Sequence, residues 1–110
     1  MTEIMAVIQP TKLNTVKNKL IEVGFPGYTC RKAMGRGKKS VNRMLPDGTY
    51  IRTELVNKRV LSIMVRDDAV DKVVNAILDG AHTGNPGDGK IFISPVYESY
   101  KVRTGSSVDE

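Results

Sequence analysis

Three short clusters of glycine and basic residues hold the side chains with the clearest chemical potential. The first is Thr83-Gly-Asn-Pro-Gly-Asp-Gly-Lys90. Glycines let the backbone turn its N–H groups inward and approach an anion closely, and a lysine at the exit adds positive charge. Those are the parts of a phosphate cradle. The order is not that of a P-loop, which leads from strand to helix, because this segment follows a helical pattern and precedes a strand-like one. The same spacing also suits an ordinary glycine-rich turn. Gly35-Arg-Gly-Lys-Lys39 is a second cluster and Lys101-Val-Arg-Thr-Gly105 a third. Each alone reads as a solvated basic turn. Three in one small domain favour convergence on a polyphosphate, within a chain or across a subunit boundary.

The sequence offers little for catalysis. Its one histidine, His82, reads as a surface loop residue. Cys30 falls in a strand pattern with no histidine nearby and reads as a buried small hydrophobe. No Cys/His grouping has metal-ligand spacing, so no metal site is assigned. Asp67, Asp68 and Asp71 read as helix-start residues, not as an acid/base pair. The expectation is a binding protein, not an enzyme. Its net charge of +5 calls for an anionic partner. Arg31, Lys32, Arg36, Lys38, Lys39 and Arg43 crowd residues 31–43, while the tail after Arg103 ends acidic. That distribution favours a local anion site or a protein-docking arm over a general polyanion coat.

The elements that must position these residues follow from length and periodicity. With 110 residues, 40% of them apolar, the chain fits one domain over 1–110. At 5% aromatic and without tryptophan, its core must be aliphatic. No apolar run is long enough to span a bilayer, the start lacks an export-signal layout, and a single cysteine excludes an intrachain disulfide framework. A cytoplasmic location is expected. Residues 3–8 read as a buried strand. Thr11 is a candidate N-cap for a helix carrying Leu13, Val16, Leu20 and Val23, which Gly24 would stop. Residues 28–34 form a weakly alternating second strand. Residues 35–55, rich in glycine, proline and charge, read as a long loop of about 20 residues, a length that tends to be functional. Asp47-Gly48 could turn a ribbon at its tip. A strand at 56–65 precedes a helix opened by Asp67 and Asp68, with Val70, Val73, Val74, Ile77, Leu78 and Ala81 on one stripe. After the loop at 82–90, a last strand covers 90–96.

The order β-α-β-β-α-β implies an α+β, ferredoxin-like sandwich: an antiparallel sheet with two helices on one face. Strands 3–8 and 60–65 carry apolar residues on both alternating sets, Met5 and Val7 against Ile4 and Ile8, Leu61 and Ile63 against Val60 and Met64. The face without helices therefore needs a cover, and self-association sheet against sheet would supply it.

The run from Thr83 through Lys90 to Ile93, followed by Lys101-Val-Arg-Thr-Gly105, closely resembles the second signature of the PII signal-transduction family of nitrogen regulators. The start Ile-Met-Ala-Val-Ile-Gln-Pro and the phrase Gly24-Phe-Pro-Gly-Tyr-Thr29 are similar to that family as well. Gly24-Phe-Pro and Gly35-Arg-Gly-Lys look most like the branch encoded beside nitrogenase genes. The resemblance implies a homotrimer of ferredoxin-like subunits with nucleotide sites in the clefts between them. It also implies a target-binding loop at about 36–55, including Arg43, Asp47, Thr49 and Tyr50, a phosphate loop at about 82–90 and a C-terminal segment at about 97–110. ATP and ADP would compete, and 2-oxoglutarate would join ATP through Mg²⁺. By position, Gly87, Asp88, Gly89 and Lys90 would hold phosphates, with Lys101 and Arg103 reaching in from the adjacent subunit. Gly35, Gly37 and Lys38 would line the same cleft, Thr29 would lie by the adenine, and Lys58 would meet a 2-oxoglutarate carboxylate.

The departures from the family pattern carry their own expectations. Lys38 and Lys101 stand where arginine is usual, turning bidentate grips into point charges. Lys39 replaces a glutamine whose oxygen ligates Mg²⁺; an ammonium has no lone pair and repels a dication, so a response to Mg²⁺ and 2-oxoglutarate is doubtful. Ile51 stands at the place of a uridylylated tyrosine, so no uridylylation is expected despite Tyr50 beside it. The implied partners are nitrogenase or, alternatively, an ammonium channel, with no membrane insertion. The rival reading from another class is a basic RNA-binding domain of the same strand order. It is disfavoured because that module stacks bases on aromatic residues of its central strands, and Val60-Leu-Ser-Ile-Met-Val65 has none.

Overall fold

The computed structural model describes the backbone of residues 1–108 and their side chains except those of 37–44 and 50–54. Its elements are β1 (Thr2–Ile8), a 3₁₀ turn (Pro10–Lys12), α1 (Leu13–Glu22), β2 (Thr29–Met44), β3 (Tyr50–Val65), a second 3₁₀ turn (Asp67–Ala69), α2 (Val70–Ala81) and β4 (Gly89–Pro95). The strands form one antiparallel sheet in the order β2-β3-β1-β4, with both helices on one face, which is the ferredoxin-like arrangement.

Strand periodicity decides which face is covered. Along β1 the burial alternates residue by residue, so Ile4, Ala6 and Ile8 point under the helices. Leu61, Ile63 and Val65 of β3 join them, and Val16 and Leu20 of α1 meet Val73, Ala76, Ile77 and Ala81 of α2 above. The opposite set, Met5 and Val7 with Met64 and Phe92, lies on the bare face, where Met64 and Phe92 are each 50% exposed. Two helices cover one face and leave the second apolar set open, as the two-sided pattern required.

Local signals account for most boundaries. Gly24, at φ 87°, ends α1 in a Schellman motif. Phe25 N–H donates to the Leu20 carbonyl at 2.9 Å and Gly24 N–H to that of Ile21 at 3.0 Å, while the Phe25 ring packs on the core. Asp67 and Asp68 do open the second helical segment, as a 3₁₀ turn leading into α2. Thr11 is not the N-cap expected of it. Pro10, with no N–H to satisfy, starts a 3₁₀ turn that follows Gln9 without a side-chain cap, and Thr11 lies inside that turn.

Two further expectations are corrected. Residues 35–55 are not structureless: β2 and β3 continue as a paired ribbon past the end of β1, with a register shift between Arg36 and Val41. The ribbon turns over 45–49, where Leu45 N–H donates to the Thr49 carbonyl at 2.7 Å, and Asp47-Gly48 occupies the tip, with Gly48 at φ 88°. Cys30 is exposed, not buried. It is paired with the fully buried Leu61, but β2 is the edge of the sheet and the helices stop short of it.

The helices meet closely at Gly80. A Cβ there would lie 2.8 Å from Val16 Cα and 3.0 Å from Val16 N, both backbone atoms that cannot step aside. Gly80→Ala should therefore destabilise the fold by about 1–3 kcal/mol through overpacking, outweighing a helix-propensity gain of about 1 kcal/mol. Urea unfolding at fixed protein concentration reads this directly. An alanine variant as stable as the parent would show that the helices can separate without loss.

Candidate functional site

The loop between α2 and β4 is built around one carboxylate. Asp88 Oδ2 accepts the backbone N–H groups of Thr83 at 2.8 Å and Gly84 at 2.9 Å. Its Oδ1 accepts the Thr83 hydroxyl and, at 3.1 Å, the side-chain amide of Gln9 from the end of β1. Thr83 Oγ1 in turn accepts Asn85 N–H at 3.2 Å, closing a tight turn. The Asp88 side chain is 22% exposed and faces into the loop, with His82 Nδ1 3.9 Å away. Those hydrogen bonds favour the anion, those of Thr83 most, and hold the Asp88 carboxyl at about 2, well below the ordinary 3.8.

Glycine is required at two loop positions in particular. Gly87 has φ 96° and Gly89 φ 113°, in the left-handed region that side chains avoid. At Gly89 a Cβ would collide with the Val7 carbonyl, because β4 begins there by pressing directly against β1. Lys90 follows as the first side chain of β4 on the bare face, opposite Val7, and is exposed.

From β3, Lys58 reaches the same loop. Its ammonium donates to the Gly87 carbonyl at 2.6 Å. Gly35 lies beside it, so that a Cβ on Gly35 would sit 3.6 Å from Lys58 Cγ. Lys58 thus links one residue of the first glycine-basic cluster, Gly87, to one of the second, Gly35, within one chain at the root of the ribbon. Thr29 lies on the same bare face at the start of β2, opposite Ser62. Gly37, Lys38, Lys39 and Arg43 follow in β2 and Tyr50 opens β3, but their side chains fall outside the described residues. At the ribbon tip, Asp47 accepts the Thr49 N–H at 3.0 Å and its hydroxyl at 2.7 Å.

The third cluster does not join them. β4 runs seven residues from Gly89 to Pro95, about 20 Å of strand, and delivers the chain to the far end of the sheet. There Val96 N–H donates to the Met1 carbonyl at 3.0 Å. The segment beyond closes on itself: Lys101 N–H bonds the Ser106 carbonyl at 2.9 Å and Gly105 N–H that of Lys101 at 2.7 Å. Lys101 and Arg103 are exposed on this turn, with Val102 fully exposed and Tyr97 93% exposed beside them. Within one chain they stand a full strand length from Lys90.

Asp88 is the residue whose role sequence reasoning missed. The family resemblance groups it with the phosphate-holding residues, whereas its carboxylate oxygens accept from the loop's own donors. The signal was present as Thr83 and Asp88 five residues apart around two glycines, a spacing that lets a carboxylate cap a turn. The tie between Lys58 and Gly87 had no local signal, since the two are 29 residues apart. Among the described residues no group of three or more His, Cys, Asp or Glu could hold a metal ion, and no helix is long and apolar enough to cross a membrane.

Fold and loop together define an α+β ferredoxin-like domain with a glycine-lysine turn at one end of its sheet. The profile of the family described as "Nitrogen regulatory protein P-II" matches residues 1–106. The chain is 44% identical over 107 residues to nitrogen regulatory protein P-II 2 of Methanothermobacter thermautotrophicus, covering 97% of this chain and 93% of that one. It is 41% identical over 107 residues to the nitrogen fixation nifHD region GlnB-like protein 1 of Methanothermococcus thermolithotrophicus, at 97% and 98% coverage. It is 39% identical over 105 residues to nitrogen regulatory protein P-II of Azospirillum brasilense, at 96% and 94% coverage. The chain belongs to the P-II family of signal-transduction regulators of nitrogen metabolism, which are regulators and not enzymes.

The Asp88 geometry has a pH signature. Its folded pKa lies below the ordinary value, so the stabilisation it gives the loop is complete above 3.8 and is lost as pH falls through about 2. A carbon-detected NMR titration should place the Asp88 carboxyl midpoint near 2, with the Thr83 and Gly84 amide signals moving at the same pH. A midpoint at 3.8 would mean that the carboxylate is not held by the loop.

Proposed function

We propose that the chain is a homotrimeric, cytoplasmic sensor of ATP and ADP that reports the bound nucleotide to a protein of nitrogen metabolism. The observation that carries this reading is the loop at 82–90, whose left-handed glycines lie in a turn held by Asp88 and Lys58. A turn braced by its own hydrogen bonds spends less free energy on ordering when a phosphate arrives. In this reading the backbone of Gly87 and Gly89 and the ammonium of Lys90 hold the phosphates, Gly35, Gly37 and Lys38 flank them, and Thr29 lies by the adenine. The separation of Lys101 and Arg103 from Lys90 by the length of β4 supports a site completed by a neighbouring chain, as does the bare apolar sheet face.

The ribbon formed by 36–55 is the element that would meet a target, through Arg43, Asp47, Thr49 and Tyr50. ATP carries a γ-phosphate that ADP lacks, and a conformational response requires such a differential contact. Nitrogenase is the preferred target, because one similar protein is named for its nifHD region, and an ammonium channel is the alternative. Lys39 cannot ligate Mg²⁺, so the usual 2-oxoglutarate response is expected to be weak even with Lys58 in place.

Calorimetry should give heat with ATP and with ADP, and no further gain in affinity when 2-oxoglutarate and Mg²⁺ are added to ATP. The shared site has a sharper test. Lys90→Ala and Arg103→Ala should each weaken binding by at least tenfold, the loss expected when a charged hydrogen-bonding partner is removed. Co-refolding the two variants should restore tight binding to a fraction of sites, because some seams then receive an intact Lys90 from one chain and an intact Arg103 from the next. Complementation that never appears would place the whole site within one chain, and a parent protein giving no heat with either nucleotide would sink the reading.

A further inference from the structure

We propose that Lys58 is a positioning residue for the phosphate loop, acting on nucleotide affinity whether or not a second ligand is present. The case begins with strand order. β1 separates β3 from β4, and neighbouring strands lie about 4.8 Å apart, so β3 and β4 are about 10 Å from each other. Arg59 is paired with Ile8, the last residue of β1. Lys58 therefore sits one residue past the end of β1, where the middle strand no longer stands between β3 and the approach to β4. A lysine stem is long enough to cross that gap, and its ammonium closes on the Gly87 carbonyl at 2.6 Å.

The bond falls where the loop most needs restraint. Asp88 and Gln9 secure the Thr83 and Gly84 side of the turn, but Gly87 has φ 96°, no side chain, and every adjacent conformation open to it. A carbonyl left free at Gly87 could swing to the side where a phosphate oxygen would be received, replacing a donor by an acceptor. The charged donor from Lys58 fixes the direction of that carbonyl, and hence of the peptide plane between Gly87 and Asp88. Gly35 and Gly87 both flank the Lys58 side chain, a Cβ at either position coming within ordinary contact of it, 3.6 Å from Cγ and 4.0 Å from Nζ. An ammonium has three donors, so the bond to Gly87 leaves two for other acceptors.

This inference rests on the nucleotide-binding reading for its ligand but not for its geometry, and the test separates the two. In the ligand-free parent protein, NMR should detect a through-hydrogen-bond coupling between the Lys58 side-chain nitrogen and the Gly87 carbonyl carbon. Its absence would overturn the proposal, whatever binds. Lys58→Met should move the Gly87 carbonyl carbon resonance while leaving the Thr83 and Gly84 amide signals in place. The same variant should bind ATP and ADP about tenfold more weakly, with no 2-oxoglutarate present. Lys58→Arg, which keeps a charged donor of sufficient reach, should recover most of the affinity. Its measurement also stands alone if the methionine variant does not fold. A Lys58→Met protein that binds both nucleotides as the parent does, or an unchanged Gly87 carbonyl signal, would refute the positioning role. A parent that binds neither nucleotide would instead refute the sensor reading and leave the coupling measurement to decide the geometry.

Discussion

The architecture of the site depends on a carboxylate turned inward. Asp88 receives two amide hydrogens, a hydroxyl and the Gln9 side chain, so the turn after α2 is closed from within before any ligand is considered. Had the same carboxylate pointed outward, it would have repelled the anion that the neighbouring lysine attracts. Satisfying backbone donors with an internal anion also leaves the left-handed glycines to shape the outer surface of the turn. Gly89 then locks the turn to the body of the protein, since only a residue without a side chain can pass the Val7 carbonyl at that distance. The loop is thus joined to β1 twice, by the Gln9 side chain and by close backbone contact.

Sheet topology sets the next constraint. An antiparallel strand carries the chain away from where it began, so whatever precedes β4 and whatever follows it must lie at opposite ends of the sheet. Lys90 and Arg103 are 13 positions apart in sequence, yet the straight strand between them prevents their meeting in one subunit. In the proposed reading, a second copy presenting its far end to the near end of the first brings the two side chains together. The bare face, with Met5, Val7, Met64 and Phe92 on three adjacent strands, has the apolar character such an assembly would bury.

Much of this was legible in the residues, and the failures have physical causes. α2 stood out because its apolar stripe faces a core, and β1 because both of its faces are apolar. Gly24 was readable as a stop because a left-handed residue is needed there. The ribbon of β2 and β3 was not legible beyond Gly35 because past the end of β1 the two strands leave the four-stranded sheet, and a projecting ribbon is not required to alternate. Cys30 was misjudged because its partner Leu61 is buried, and sequence alone does not say which strand will be the edge. Thr11 was outcompeted by Pro10, one residue earlier, whose fixed backbone angle begins a helical turn without a side-chain cap. In the site, the glycines and Lys90 were found by type and spacing. The inward role of Asp88 and the reach of Lys58 depend on strand adjacency, which no local pattern encodes.

In the proposed reading, a nucleotide at the 82–90 loop has a short route to the ribbon that extends away from it. A two-stranded ribbon is marginally stable alone, so in the proposed reading its conformation responds to small free energies at its root. The root is where Gly35 and Lys58 lie side by side, and Lys58 is bonded to the Gly87 carbonyl of the 82–90 loop. Any ligand that strengthens or redirects that bond alters the support of β3 just where the sheet narrows from four strands to two. Coupling of this kind needs no long path through the core. It requires only that one side chain belong to both elements, and that the ribbon be balanced closely enough for a hydrogen bond's worth of free energy to matter.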